Sequence, residues 1–146
     1  MVKSDDIKRI KSVLFVCNQN AVRSPMAKGL ADRYSKRRIF CESAGLVAGQ
    51  LDGFSVAVMK EEKIDISEHQ PKVLSSIPVE KFDAIIALTP ESRDKVSKLA
   101  ELHDIHLEYW QTPDPAEGEG NRDQVLDSYR LVRDHLECRI ADFLKI

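Results

Sequence analysis

Long hydrophobic runs are absent from these 146 residues. No apolar stretch approaches the length that spans a bilayer, and the opening MVKSDDIKRIKS carries acidic residues without the apolar segment of a signal peptide. An excess of one charge is lacking too: a net charge of -2 and a pI near 6.1 give no support for a nucleic-acid partner. Cysteine is scarce. Cys17, Cys41 and Cys138 are odd in number and widely spaced, which fits neither a disulfide framework nor a CxxC zinc site. The expectation is a reducing, cytoplasmic setting with no metal, no cofactor and no membrane or nucleic-acid partner. GxxxxGK[ST] does not occur, which disfavours a P-loop nucleotide site. Internal repeats and low-complexity tracts are missing as well.

What is present is alternation. Val13 to Val16 is a short apolar run rich in β-branched residues, the pattern of a strand buried on both faces. Pro25 fits the first position of a following helix, on which Met26, Leu30 and Tyr34 share a face with Ala27 and Ala31 beside them. Ile39 to Ala44, Ala84 to Leu88 and His106 to Trp110 read as further strands. Helices are expected from Asp52 to Lys63, from Thr89-Pro90 through Leu99, and along the stripe Val125, Tyr129, Val132, Leu136, Ile140 and Phe143, with Cys138 on the opposite side. TPDPAEGEG, between the last strand and the last helix, reads as a long loop.

Buried strands alternating with helices predict an α/β chain: a single-domain three-layer sandwich over residues 1–146, with a four-stranded parallel sheet flanked by helices on both faces. Residues 1–11 read as a flexible N-terminal extension, and a monomer is the default for a domain of this size. In such sheets ligands bind outside the carboxyl ends of the strands. Cys17 and the loop after Trp110 both leave strands at that edge.

Cys17 and Arg23 are separated by five residues, between a buried strand and a helix opened by Ser24-Pro25. The spacing alone is weak evidence, but its context is one where backbone N–H groups of Asn18, Gln19, Asn20, Ala21, Val22 and Ser24 can converge on an anion. The same groups and the Arg23 guanidinium would stabilise a thiolate, the nucleophilic form of cysteine. Arg23 offers a planar fork for two oxygens of a phosphate or similar oxyanion. Ser24 can donate a hydrogen bond to the departing sulfur. Asp114, held between Pro113 and Pro115, is suited to protonating a leaving group as a phosphate ester breaks, and then to activating water against a thiophosphoryl intermediate.

These residues resemble the low-molecular-weight protein tyrosine phosphatase family. VLFVC, the following Asn and RSPMA, then SAG, KIDIS with His69, FDAIIAL and the late PDP occur in that family's order, over nearly the whole chain from Val13 onward. The resemblance implies a four-stranded parallel sheet and metal-free hydrolysis of phosphomonoesters through a cysteinyl-phosphate, the substrate being a phosphorylated protein or a small phosphomonoester. It matches Cys17 to the nucleophile, Arg23 to the phosphate-binding arginine, Ser24 to the hydroxyl assisting the thiolate, and Asp114 to the general acid. Asn20 matches an asparagine that holds the loop in shape, and Ser43 and His69 match supporting hydrogen-bond partners.

The chain also departs from that pattern. Gln19 stands where the family usually has glycine, and Val22 where a second cysteine is frequent, so a protective disulfide within the loop is excluded. Leu46 to Gln50 and Ala116-Glu117 lack the aromatic residues that often wall the substrate cleft, which would weaken stacking on a phosphotyrosine ring. Two alternatives stand beside phosphatase activity. An arsenate reductase would use the same oxyanion loop but needs further thiols, and Thr89 to Leu99 contains none; a non-catalytic phosphate-binding module would keep Arg23 and the loop but tolerate loss of Cys17 or Asp114.

Overall fold

Side chains of β1 (Ser12–Cys17) alternate between two apolar layers, which is why its sequence carries no polar residue between Val13 and Val16. The computed structural model describes residues 10–144. β1 lies at the centre of a four-stranded, all-parallel sheet of order β2-β1-β3-β4, with β2 at Phe40–Gly45, β3 at Ala84–Ala87 and β4 at His106–Tyr109. Val13, Phe15 and Cys17 face a core built with α1 (Arg23–Tyr34), α2 (Gly53–Glu61) and α4 (Arg122–Phe143). Leu14 and Val16 face the other side, where α3 (Pro90–His103) and two short 3-10 turns at Leu74–Ser76 and Val79–Lys81 supply Val96, Leu74 and Val79. The three layers expected from the sequence are present.

The crossover direction reverses at β1, since β2 lies on one side of it and β3 on the other. Strand ends diverge at such a point and leave a crevice. Cys17 is the last residue of β1 and borders it.

Several local expectations are corrected. Arg23, not Pro25, opens α1, and Pro25 is the third helical residue, a position whose N–H has no intrahelical partner in any case. Tyr34 leaves the core and is 41% exposed, its hydroxyl donating to Glu137. Helix α3 runs past Leu99 to His103 and stops where Asp104 adopts a left-handed backbone. Of the expected flexible extension, residues 1–9 lie outside the described residues. Ile10 is buried in the core, and Lys11 donates its N–H to Asp83 and accepts from Phe40, so these two belong to the folded body. Among the described residues no helix is long and apolar enough to cross a membrane.

Candidate active site

Between Cys17 and the start of α1 the chain turns through five residues, and every carbonyl from Cys17 to Val22 has a hydrogen-bond partner, that of Val22 from α1 itself and the others from segments further along the chain. Leu46, Val47, Gly49 and Asp52 donate their N–H groups to the carbonyls of Cys17, Asn18, Gln19 and Ala21 at 3.1, 3.0, 2.8 and 3.1 Å. His69 Nε2 donates to the Asn20 carbonyl at 3.2 Å, and Met26 N–H to that of Val22 at 3.2 Å. A peptide group whose oxygen is fixed outward turns its N–H inward. Successive inward N–H groups form an anion-binding concavity. Val22 caps α1 without any side-chain hydrogen bond, so the helix N-terminus adds its own free donors to the same concavity.

Asn20 is the hinge of this loop. It has φ of 56°, the left-handed conformation that asparagine tolerates better than most residues, and it is completely buried. Its side-chain amide donates to Ser24 Oγ at 2.7 Å, while Oδ1 accepts from Lys72 N–H at 3.0 Å and from His69 Nε2 at 3.0 Å. Both Asn20 oxygens at His69 are acceptors, so Nε2 carries the proton. Burial holds the basicity of His69 below the usual histidine value, and the charges of Lys72 and Lys28 act in the same direction against the hydrogen bond to Asn20.

Cys17 Sγ lies 2.9 Å from Ser24 Oγ and accepts the Asn20 N–H at 3.3 Å. Arg23 reaches back from the first helical position, donates to the Thr112 carbonyl at 3.1 Å and brings its second Nη to 4.0 Å from Asp114. Asp114 is half-buried and caps the 3-10 turn Pro115–Glu117 by accepting the Ala116 N–H at 2.9 Å. Cys17, Arg23 and Asp114, about 100 residues apart in the chain at the extremes, thus line one cleft of about 280 Å³, with Asn18, Gln19, Ala21 and Val22.

Ser43 does not join them. It sits level with Phe15 rather than with Cys17 in the β1–β2 register, and its buried Oγ has no hydrogen-bond partner among the described residues. The backbone carbonyl of the next residue, Ala44, faces Ser24 Oγ at 3.4 Å instead. Gln19, at the position where glycine was expected, has an ordinary negative φ. Its side chain packs against Gly49, where a Cβ would come within 2.9 Å of Gln19 Oε1. The space released by a missing side chain has moved from the loop to the segment that surrounds it.

Sequence reasoning missed that surrounding segment, although the two glycines of AGLVAG marked a close approach. It also missed Thr89, whose hydroxyl donates to Asn18 Oδ1 at 2.8 Å and ties α3 to the loop. Asp52 was legible as a helix start but not as a junction: it accepts Phe54 and Ser55 N–H groups at the head of α2, and the hydroxyl of buried Tyr129 on α4 at 2.6 Å. Burial and the Asp52 carboxylate push the Tyr129 phenol to a higher pKa. A second tie between α2 and α4 is buried Arg133, which reaches the Val58 carbonyl and Glu61 at 2.8 Å each. Hydrogen bonds from Arg130 and Arg133 pull Glu61 down to about 2.

A thiol at the end of a buried strand, an anion cradle around it and an arginine at the next helix start define a cysteine-dependent enzyme acting on a tetrahedral oxyanion. The model of the low molecular weight phosphotyrosine protein phosphatase family matches residues 12–146, and the chain belongs to that family. Within it, the chain is 31% identical to an arsenate reductase of Bacillus subtilis over 133 residues, covering 91% of this chain and 94% of that one. It is 29% identical to a glutaredoxin arsenate reductase of Synechocystis, covering 92% and 97%. Among solved structures, an arsenate reductase in the phosphate-binding state superimposes with a TM-score of 0.76 at 28% identity, covering 93% of this chain and 98% of the other. A YwlE mutant from Bacillus subtilis does so with 0.77 at 25% identity, covering 92% and 96%. The family includes phosphatases and arsenate reductases, and this chain is one or the other.

Proposed function

We propose that the protein hydrolyses phosphomonoesters through a cysteinyl-phosphate formed on Cys17. The observation that carries this reading is the Asp114 carboxyl beside Arg23 in the cleft above the thiol. The loop N–H groups and Arg23 bind the phosphoryl oxygens and stabilise the charge that grows in the transition state. Cys17 Sγ attacks phosphorus as a thiolate, and Asp114 in its acid form protonates the leaving oxygen. The resulting carboxylate then takes a proton from water that attacks the phosphocysteine, while Ser24 Oγ hydrogen-bonds the departing sulfur. The substrate is a phosphorylated protein or a small phosphomonoester, and no cofactor takes part in these steps.

The curated relatives favour a second reading, arsenate reduction, more than the first. The loop suits arsenate as well as phosphate. Reduction, however, needs thiols beyond the nucleophile, and this chain supplies none nearby. Cys41 lies four residues before the partner of Cys17 along β2, roughly 13 Å away at strand rise. Burial, with the Asp32 charge adding to it, pushes its thiol up to about 12. Cys138 is exposed on the outer side of α4. Arsenate reduction here would depend on a thiol from a separate molecule.

Turnover of an aryl phosphate separates the readings. Cys17→Ser and Arg23→Ala each lower kcat/KM by at least about a thousandfold, and Asp114→Asn slows alkyl or other poorly leaving esters far more than activated aryl ones. Full turnover by Cys17→Ser removes the mechanism. Arsenate consumption driven by thioredoxin or glutaredoxin without phosphatase activity favours the second reading, and tight phosphate binding without either reaction favours a binding module.

A further inference from the structure

The walls above the phosphate loop are acidic. Beyond the loop itself the cleft over Cys17 is lined by Gln50, Asp52, Asp114, Ala116 and Glu117, and the cavity on the other side of Arg23 shares Asp114 and Glu117 and adds Glu91. Arg23 is the only cationic side chain lining either space among the described residues, and its guanidinium is directed at the Thr112 carbonyl and Asp114. Two other guanidinium groups on the bordering helices are engaged elsewhere, Arg93 over the Tyr109 ring and Arg122 over that of Phe54. Glu91 and Glu117 are exposed at the rim. No aromatic ring lines either cavity.

We infer that the cleft selects phosphate carried on a cationic support: a peptide segment with lysine or arginine flanking the phosphorylated residue. The inference rests on the phosphatase reading and specifies its substrate. The bound phosphoryl group is neutralised from below by the loop amides and Arg23. The atoms next to it meet Asp52 and Gln50 on one wall and Ala116 and Glu117 on the other, with Glu91 a step further out. Flanking carboxylates would be repelled there and flanking cations attracted. An aryl carrier gains no stacking contact from these walls. Rim ion pairs act through solvent and are worth about a threefold preference each, so two together give about tenfold.

Two phosphotyrosine peptides of equal length, one with lysine and arginine flanks and one with aspartate and glutamate flanks, test this, because the ring cancels between them. Their kcat/KM ratio is expected at about ten in favour of the basic peptide at low salt, falling toward about two near 0.5 M salt as the rim charges are screened. Glu117→Lys is expected to erase or invert the ratio. Glu80→Lys, at the opposite edge of the sheet, leaves it in place. Equal turnover of the two peptides, or a preference for the acidic one, overturns the inference while leaving phosphatase chemistry standing. Absence of turnover on both peptides and on an aryl phosphate overturns the chemistry instead. In that event calorimetric binding of the same peptides to Cys17→Ser still reads the charge preference, and equal affinities overturn the inference there too.

Discussion

The segment carrying Cys17 and the segment carrying Asp114 face each other across the cleft but are built differently. From Cys17 to Val22 every carbonyl has a partner, four of them from residues 46–52 and one from His69. From Gln111 to Gly120 the ties to the rest of the fold are fewer: Thr112 N–H to the Leu88 carbonyl, the Thr112 hydroxyl to the Trp110 carbonyl, the Arg23 guanidinium to the Thr112 carbonyl, and the short-range bonds of the turn that Asp114 caps. Residues 116–120 are exposed, whereas Cys17, Asn20 and Ser24 are buried. The contrast matches two tasks. A transition-state cradle acts best when its dipoles are fixed beforehand, while an acid that must meet leaving groups of different shapes can sit on a segment held mainly by itself.

The sharpest way to break the contrast is to add one methyl group on each side. In Gly45→Ala the new Cβ would overlap the Val47 carbonyl oxygen and come within 2.7 Å of Asn20 N and Gln19 C, all backbone atoms of the loop or its surround. Something must shift, at a cost of about 1–3 kcal/mol, and displacing the cradle is expected to lower kcat/KM by roughly a hundredfold. Denaturant unfolding and aryl-phosphate turnover read the two effects. Near-normal activity in Gly45→Ala would show the loop to be compliant.

A smaller effect comes from pH, and it belongs to the loop side alone. The folded protein holds His69 neutral, with its pKa depressed by burial. The folded state therefore binds fewer protons there than the unfolded chain. Its contribution to stability is complete above the ordinary histidine value near 6.5 and is lost as pH falls below it toward the depressed folded value. Lys28 and Lys72 face the ring and oppose its charging, while Glu42 partly offsets them. Tm should fall between pH 7.5 and 5.5, and His69→Gln, which can still donate to Asn20, should flatten that decline. An unchanged slope in the variant assigns the loss to other groups.

The smallest effect is the counterpart on the acid side. At Gly118 an added Cβ meets the Pro115 carbonyl oxygen at 3.1 Å and the movable Ser128 Oγ at 3.3 Å, with φ of -66°. Gly118→Ala is expected to change stability by less than about 0.5 kcal/mol and turnover by no more than about twofold. A loss as large as that of Gly45→Ala would erase the distinction between the two segments.

The same division explains what could be read from the sequence. β1, the anion loop and the α1 start are contiguous, so burial of Val13 to Val16, the Cys17–Arg23 spacing and the following helix pattern were legible together. Asp114 was legible through its two prolines. The outer hydrogen bonds from residues 46–52 were not, because they come from backbone N–H groups that any residue could supply. Ser43 was read as a supporting partner through the family resemblance alone, yet register sets it level with Phe15. Tyr34 kept helical spacing with Leu30 but lies where α1 runs out beyond the core. The 3-10 turns at Leu74–Ser76 and Val79–Lys81 are too short to show any period. Arg133 carries no signal of its own in the sequence, because only the docking of α2 gives its buried guanidinium acceptors.

The outward-held carbonyls also bear on the order in which the chain acquires its site. The donors at Leu46 to Asp52 and at His69 follow the loop by some 30 to 50 residues, so residues 17–22 cannot take their final shape until β2 has paired with β1 and the chain has returned past Asn20. Such closures are slow relative to local helix formation. During synthesis, a nascent chain ending before β2 would carry the thiol and the arginine without the concavity between them, and a chain released early would be chemically idle rather than a weakened enzyme.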